Sequence, residues 1–218
     1  MTSTWQAQLE KAATHLEQND PLLAVVIRTH PRPTFTPHTN YYQELVESII
    51  SQQLSVKAAA TILKRFKALF TSDFPNPAEI LDEDVETFRS VGLSRQKAGY
   101  IRDLAEKVLT NEVTFEHLDS LTNQEVISEL TQIKGVGVWT VHMFLMFCMG
   151  RLDVFPTGDL GIRNGIEKLY NLPQKPTPED MEVIAKKYAW HPYETIASWY
   201  IWKSLDNTPA IEQVIETT

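Results

Sequence analysis

Cysteine is almost missing from this chain of 218 residues, which has only Cys148. A single cysteine excludes an intrachain disulfide, a cysteine-ligated structural zinc and a four-cysteine iron–sulfur cluster. The six histidines show no metal-ligand spacing either. We therefore expect a protein with no iron–sulfur cluster and no required cofactor.

Long apolar runs are also missing. The most apolar stretch, Val136 to Met149, is too short to span a bilayer and is typical of a buried helix. The first residues do not combine a basic start, an apolar middle and a small-residue cleavage site, as a signal peptide does. We expect no membrane partner and a cytoplasmic or nuclear location.

Basic residues are outnumbered by acidic ones, 20 to 28, which gives a formal net charge of −8. This balance argues against a protein that coats nucleic acid by bulk attraction. The charges are nevertheless segregated, because residues 51–72 and residues 131–151 contain basic side chains and no acidic one. Such segregation fits one cationic face on an acidic body, and it equally fits ordinary solvated helix faces.

Strand-like alternation of apolar and polar residues is missing too, whereas apolar residues make up 43% of the chain and recur at helical spacing. We predict an all-α fold of two helical lobes with a cleft between them, which is a usual place for a site. Residues 38–149 form the middle lobe, and residues 1–37 plus 150–218 pack together as the other lobe. The predicted helices cover roughly 4–18, 21–28, 40–52, 55–70, 77–82, 84–89, 94–109, 122–131, 136–149, 159–170, 177–188, 192–205 and 209–216.

The segment QIKGVGVWTVHMF, residues 132–144, places two glycines one residue apart between helical patterns. Gly135 and Gly137 allow positive φ and the close approach of another backbone. The helix that follows presents N–H groups and a positive dipole end, which suit a phosphate, and Lys134 adds charge beside it. The segment predicts a helix-hairpin-helix motif, although the two glycines alone also fit an ordinary interhelical turn.

The carbonyl groups of this turn offer a second kind of site. The main-chain carbonyls of Thr131, Ile133 and Val136, if they face inward, could hold a Na⁺ or K⁺ ion that bridges the turn to the phosphate. We therefore treat a structural monovalent cation at the hairpin as a candidate.

Asp159 stands 24 residues after Gly135, within the Gly/Pro-rich segment DVFPTGDLGIRNGI, residues 153–166. The order of hairpin, loop and helix-opening aspartate resembles the helix-hairpin-helix DNA glycosylase superfamily, and within it the DNA-3-methyladenine glycosylase II branch. The resemblance covers about residues 38 to 205, and the chain looks like a compact member without the N-terminal β-domain that some members carry. Three further stretches resemble the branch: IISQQLSVKAAATI (49–62), VGLSRQKAGYIRDLA (91–105) and WHPYETIASWYIW (190–202).

The resemblance implies a hydrolase of base excision repair that acts as a monomer on double-stranded DNA containing alkylated bases, such as 3-methyladenine and 7-methylguanine. Hydrolysis of an N-glycosidic bond builds positive charge on the sugar. A carboxylate held against the sugar stabilises that charge and can orient or deprotonate a water. Asp159 is the expected catalytic residue, although an aspartate in this place is by itself more typical of a helix N-cap.

DNA contacts are expected at the hairpin and at the start of the helix that Asp159 opens. Lys134, Gly135, Gly137 and Thr140 of the hairpin region are expected to contact the DNA backbone. Gly158 turns the chain just before Asp159, so that the start of the following helix can also touch the backbone.

The target base is stacked inside the duplex and must be swung out. The segment SQQLS, residues 51–55, resembles the family's intercalating stretch. The amides of Gln52 and Gln53 could pair with the orphaned partner base, and Leu54, followed by Ser55, could enter the base stack. The alternative is a polar interhelical turn with Leu54 buried.

Three aromatic residues are candidates for the walls of the base pocket: Trp139, Tyr193 and Trp202, of which Trp202 stands where the resemblance places the family's base-stacking tryptophan. Electron-rich rings attract the positive charge of a methylated purine by about 0.5–2 kcal/mol. Ordinary core packing is the alternative for each ring.

Family members that also cut the DNA strand use a lysine nucleophile in the helix after the hairpin, where this sequence has Trp139. Because an indole cannot form a Schiff base, the sequence predicts a monofunctional enzyme. Two other functions stay open. One is a non-catalytic helix-hairpin-helix DNA-binding protein, and the other is a glycosylase of the same fold that acts on other damaged or mismatched bases.

Overall fold

The computed structural model describes residues 2–205. Met1 and residues 206–218 lie outside the described residues, and with them the predicted helix at 209–216 and the end of the predicted 150–218 segment. Between residues 2 and 205 the structure is helical and contains no strand, which confirms the prediction of an all-α fold. No helix in this range is both long and apolar enough to cross a membrane.

The described range contains twelve α-helices, one short 3₁₀-helix and one π-helical turn. The α-helices are α1 (Thr2–Asn19), α2 (Pro21–Thr29), α3 (Tyr41–Ser51), α4 (Val56–Lys67), α5 (Pro77–Asp82), α6 (Val85–Ser90), α7 (Arg95–Leu109), α8 (Asn123–Leu130), α9 (Val138–Met143), α10 (Leu160–Leu169), α11 (Pro178–Lys187) and α12 (Glu194–Ser204). The 3₁₀-helix covers Leu118–Ser120, and the π-helical turn covers Phe144–Cys148.

The described chain divides into two units, residues 2–37 with 145–205 and residues 38–144. The sequence placed the second border after residue 149, whereas the structure has it just before Leu145. The difference arises because the Phe147 ring packs within the first of these units, with its centroid 5.1 Å from that of Phe35 and 6.3 Å from that of Trp202. The cleft between two lobes stays a prediction.

In the unit formed by residues 2–37 and 145–205, α12 is the core. All residues of α12 from Thr195 to Trp202 are buried, and α1, α2 and α10 pack against it. A helix that is enclosed on every side needs apolar residues all round, which explains why this segment shows no polar face. This central position fixes the orientation of Trp202, which bears on the site described below.

A buried carboxylate ties this unit together. Asp20 is fully buried and caps α2 by accepting hydrogen bonds from the N–H groups of Leu22 and Leu23, both at 3.0 Å. Its other oxygen accepts a hydrogen bond from Trp190 Nε1 at 2.9 Å and another from the Tyr170 hydroxyl. Burial, reinforced by the nearby Asp20 charge, raises the pKa of Tyr170 and keeps it protonated as a donor. Asp20 is therefore a satisfied structural residue.

In the unit formed by residues 38–144, α7 is central and packs against α3, α5 and α6. Ser94 caps its first turn by accepting a hydrogen bond from the Lys97 N–H at 3.1 Å. The buried face of α7 contains Ala98, Ile101 and Leu104 at helical spacing. Helix α7 also contacts the hairpin through Asp103 and the end of α3 through Lys97.

The sequence predicted one buried helix over residues 136–149. The segment is largely buried, as expected, but the α-helix ends at Met143 and the π-helical turn Phe144–Cys148 follows. Extra residues in a π-helical turn shift the register of the side chains, which periodicity alone does not reveal.

Candidate functional site

The predicted hairpin is present, with α8 and α9 on either side of its turn. Gly135 has φ +82°, a value that L-residues rarely adopt. A Cβ atom at Gly135 would lie only 2.1 Å from Cδ2 of Tyr100 on α7. Two independent constraints, backbone conformation and contact with a ring, therefore require glycine at this position.

Neither of these constraints applies to Gly137. It caps the start of α9 with φ −95°, and a Cβ atom there would meet nothing within 4 Å in the described part of the chain. Val138 and Trp139, the first residues of α9, are 50% and 44% exposed. The Thr140 side chain is buried, so a DNA contact at Thr140 would use its main-chain N–H. The start of α9 thus offers an open surface for another molecule.

Asp103 on α7 anchors the hairpin turn through Lys134. Its carboxylate accepts a hydrogen bond from the Lys134 N–H at 2.9 Å and lies 2.8 Å from Lys134 Nζ. Burial raises the pKa of Asp103, but the hydrogen bonds and charge of Lys134 outweigh that effect and hold the pKa below its ordinary value. The Lys134 side chain remains 75% exposed, so the pair leaves much of the cation facing solvent.

The segment between α3 and α4 forms a tight turn. The Leu54 N–H donates to the Ser51 carbonyl at 3.1 Å, and Gln53 has φ +57°, the left-handed conformation of the third residue in a type II turn. Gln53 is exposed and Leu54 is half-buried. Ser55 caps α4 through its hydroxyl oxygen. The turn therefore presents Gln53 outward.

Gln52 has a role that its sequence context did not reveal. Its side-chain amide donates to the Gly135 carbonyl at 2.9 Å, which links the turn to the hairpin. Together the two segments line a groove of about 450 Å³, whose wall also includes Lys97 and Tyr100 of α7. The turn and the hairpin are thus parts of one surface.

Lys97 anchors this surface from α7. Its Nζ donates to the carbonyls of Ile50 at 2.7 Å and Gln52 at 2.6 Å, at the C-terminal end of α3. A cation at the C-terminal end of a helix donates to carbonyls that have no partner within the helix. It also complements the negative end of the helix dipole. Burial lowers the pKa of Lys97.

We expect Lys97→Met to lower the free energy of unfolding by about 1–3 kcal/mol, because two carbonyls lose a charged donor. The Leu54 N–H should also exchange faster with solvent, since the turn loses its anchor. Urea unfolding and hydrogen exchange measure the two effects. Arg95→Met on the same helix is the control, because Arg95 is 68% exposed and pairs only at the surface with Glu86. Equal effects of the two substitutions would contradict the anchoring role.

The candidate cation site depends on three carbonyls of the hairpin turn. Thr131 is the C-cap of α8, and the Ile133 carbonyl accepts a hydrogen bond from the Val136 N–H at 3.0 Å. In residues 2–205 no group of three or more His, Cys, Asp or Glu side chains could hold a metal ion. A monovalent ion held by the carbonyls of Thr131, Ile133 and Val136 stays a prediction.

Asp159 lies in the other unit, at the N-cap of α10. Its Oδ1 accepts a hydrogen bond from the Ile162 N–H at 2.8 Å, so the capping role is present. The loop before it turns sharply, with the Asp159 N–H donating to the Pro156 carbonyl at 2.8 Å. Gly158 is exposed, and a Cβ atom there would meet nothing within 4 Å among the described residues. A half-buried carboxylate therefore stands beside an open glycine.

The three predicted pocket aromatics lie in different surroundings. Trp202 is 3% exposed, and its Nε1 donates to Asp159 Oδ1 at 2.9 Å. Tyr193 precedes α12 and packs edge-on against His15, with centroids 5.1 Å apart. Trp139 is the exposed one. The structure thus brings Trp202 to Asp159, and the pocket roles stay predictions.

Several residues that position the site were not predicted: Lys97, Tyr100 and Asp103. One sequence signal was available for Asp103, which interrupts the otherwise apolar buried face of α7. A charged residue on such a face is usually paired with another polar or charged group. Nothing in the sequence distinguishes the contacts of Lys97 and Tyr100, because they depend on segments distant along the chain.

The family model for the HhH-GPD superfamily of base excision DNA repair proteins matches residues 46–190, which is more than half of the chain. The chain belongs to this superfamily. Its relatives place it in the DNA-3-methyladenine glycosylase branch, which confirms the resemblance found in the sequence. Over 165 residues it is 43% identical to DNA-3-methyladenine glycosylase 1 of Schizosaccharomyces pombe, covering 75% of this chain and 72% of that protein.

Two solved structures of similar length support the same placement of this HhH-GPD protein. The Mag1 3-methyladenine DNA glycosylase of S. pombe, in complex with abasic DNA, has a TM-score of 0.76 at 37% identity, covering 90% of this chain and 97% of that one. A DNA-3-methyladenine glycosidase from Bacillus halodurans has a TM-score of 0.79 at 33% identity, covering 93% and 95%. These coverages match those expected of a compact family member.

Proposed function

We propose that this protein is a monofunctional DNA glycosylase of base excision repair. It hydrolyses the N-glycosidic bond of alkylated purines, of the 3-methyladenine and 7-methylguanine type, and leaves an abasic site. The observation that carries the proposal is the geometry of Asp159, whose Oδ1 is held by two N–H donors at the start of α10. Family membership and the names of the relatives support the choice of substrate.

The chemistry follows from the charges. An N-methylated purine nucleotide already has positive charge on its base, so the bond to C1′ breaks with the electron pair going to the base. The sugar becomes cationic, and the Asp159 carboxylate stabilises it. Water then forms the new C1′–O bond, and Asp159 orients it or accepts its proton. The products are a free neutral purine and an abasic site in an intact strand.

DNA is held through its backbone and through the gap that base extrusion leaves. Lys134 and the main chain at Gly135, Gly137 and Thr140 contact phosphates at the hairpin, with or without a bridging Na⁺ or K⁺ ion. Exposure of Lys134 and the open space at Gly137 support this assignment. Gly158 allows a further backbone contact beside Asp159.

The turn before α4 is the part that enters the base stack. Gln53 is exposed at the left-handed position of the turn, and Leu54 and Ser55 follow it. We assign gap filling to Gln53 and Leu54. Gln52 instead orients the turn, since its amide donates to the Gly135 carbonyl.

Trp139 governs two properties of the reaction. Its indole cannot act as an amine nucleophile, so no covalent enzyme–DNA intermediate forms and the strand is not cut. Its exposed ring is also the aromatic face most available to a cationic base among the three candidates. Trp202 and Tyr193 are less accessible.

The test uses duplex DNA that has been treated with a methylating agent. The protein should release free 3-methyladenine and 7-methylguanine, identified by chromatography, from an otherwise uncut strand. Borohydride added to the same reactions should trap no covalent adduct. Absence of released base with retained DNA binding would instead favour the non-catalytic DNA-binding protein. A borohydride-trapped adduct would contradict monofunctional hydrolysis.

A further inference from the structure

Trp202 is expected from the sequence to be a wall of the base pocket. We propose a different role: Trp202 is a positioning residue that orients the Asp159 carboxylate through a hydrogen bond from its indole N–H. This inference rests on the proposed function, because it assigns Asp159 to the chemistry. It changes which atom of Trp202 matters, since a wall uses the ring face and a positioning residue uses Nε1.

The geometry at Asp159 carries the proposal. Trp202 Nε1 lies 2.9 Å from Asp159 Oδ1, and the Ile162 N–H lies 2.8 Å from the same oxygen. Two donors on one carboxylate oxygen fix the rotation of the carboxyl group. The position of Oδ2 is thereby set as well, which is what electrostatic stabilisation of a sugar cation requires.

The indole itself is firmly held. Trp202 is 3% exposed on the buried helix α12, and its ring centroid lies 6.3 Å from that of Phe147. A ring with so little exposure offers little face to a ligand, whereas its N–H edge is already directed at Asp159. Rigid support of this kind is how a neighbouring group keeps a catalytic side chain in place.

Gly161 lies close to both partners of this hydrogen bond. A Cβ atom at Gly161 would lie 3.0 Å from Trp202 Cδ1, 3.1 Å from Trp202 Nε1 and 3.1 Å from Asp159 Oδ1. A methyl group at Gly161 would therefore press on both partners of the hydrogen bond, and these would have to shift slightly to make room for it. Gly161, in the first turn of α10, avoids this contact because it has no side chain.

Trp202→Phe tests the proposal, because phenylalanine keeps an aromatic ring and loses the N–H donor. We expect the single-turnover rate of 7-methylguanine release to fall about tenfold or more, as for loss of a hydrogen bond to a charged group. Affinity for an abasic-site duplex should change by less than about twofold, since the hydrogen bond acts on the carboxylate and not on DNA. If Trp202 were only a stacking wall, the phenylalanine variant would react nearly as fast as wild type.

Trp199→Phe is the matched control. Trp199 lies on the same helix and is also 3% exposed, and its buried Nε1 has no hydrogen-bond partner in the described part of the chain. This variant removes as many ring atoms from the core without removing such a bond. We expect its reaction rate to stay near that of wild type, and an equal loss in both variants would assign the effect to core packing and overturn the proposal.

A double-mutant cycle separates positioning from structure. In an Asp159→Asn background, Trp202→Phe should have much less effect on the residual rate, because the group it orients no longer has its charge. A full additional loss would mean that Trp202 acts independently of Asp159 and would overturn the proposal.

Nuclear magnetic resonance tests the hydrogen bond without any enzymatic activity. The indole N–H signal of Trp202 should move upfield in Asp159→Ala, because the acceptor is lost, while the Trp199 signal should stay in place. An unmoved Trp202 signal would overturn the proposal even if the variant Trp202→Phe failed to fold. Failure of wild type to release any methylated base would instead refute the proposed function and leave this signal as the test of the contact.

Discussion

Asp159→Asn is expected to lower the rate of methylated-base release by about 10² or more, while affinity for duplex DNA stays nearly unchanged. Asparagine keeps a carbonyl oxygen that can accept from the Ile162 N–H and from Trp202, and it is as good a helix N-cap as aspartate. The fold should therefore be preserved, and the variant lacks the negative charge and the second carboxylate oxygen. Single-turnover kinetics on a 7-methylguanine duplex, with fluorescence anisotropy for binding, measure the two quantities.

Asp153→Asn provides the control for this prediction. Asp153 is an exposed carboxylate in the same loop, so its replacement removes an equal charge from the same region. Its rate should match that of wild type. If Asp159→Asn also reacted at the wild-type rate, the carboxylate would have no part in the chemistry. A parallel loss of DNA affinity would instead assign Asp159 to binding.

Helices were the most predictable part of this protein, because their signals are local. The predicted helix at 77–82 coincides with α5, and the predicted ends of α7 and α10 lie within one residue of those observed. Capping residues and apolar spacing determine such ends. The glycines of the hairpin likewise mark its turn, whereas its assignment as a helix-hairpin-helix also depended on the family resemblance.

The supports of the site could not be predicted, because they join segments far apart in sequence. Lys97 donates to the carbonyl of Ile50, 47 residues earlier in the sequence. Asp103 accepts from the N–H of Lys134, 31 residues later. Helical spacing places these side chains on a face of α7 but does not name their partners. From the sequence alone, a lysine near the start of a helix is as compatible with phosphate contact as with solvation.

Trp202 illustrates a different limit. The family resemblance singled out this residue. A resemblance indicates a role, but it does not give the orientation of the side chain. Only the three-dimensional structure shows that the N–H edge of the indole points to Asp159 Oδ1 and that Gly161 lies beside this pair. A sequence can thus identify a residue without showing which of its atoms acts.

Gly135→Ala is expected to lower the free energy of unfolding by about 2–5 kcal/mol. The new methyl group would occupy a left-handed backbone conformation and would collide with the ring of Tyr100, 2.1 Å away. Relief of this contact moves the Tyr100 ring or the hairpin turn, and movement of the turn also disturbs the hydrogen bond from Gln52 to the Gly135 carbonyl. Urea unfolding followed by circular dichroism measures the loss, and DNA affinity should fall with it.

Gly137→Ala, two residues further on, separates the two reasons for glycine in this hairpin. Because its methyl group would meet no described atom within 4 Å, the variant should lose less than about 1 kcal/mol of stability. Its affinity for duplex DNA should nevertheless fall about tenfold, since the methyl group stands where a phosphate would approach the start of α9. A Gly137→Ala protein that binds DNA like wild type would show that the open surface at α9 does not contact the backbone. Loss of affinity only in Gly135→Ala would then reflect damage to the fold, and the hairpin would have to be regarded as a structural turn.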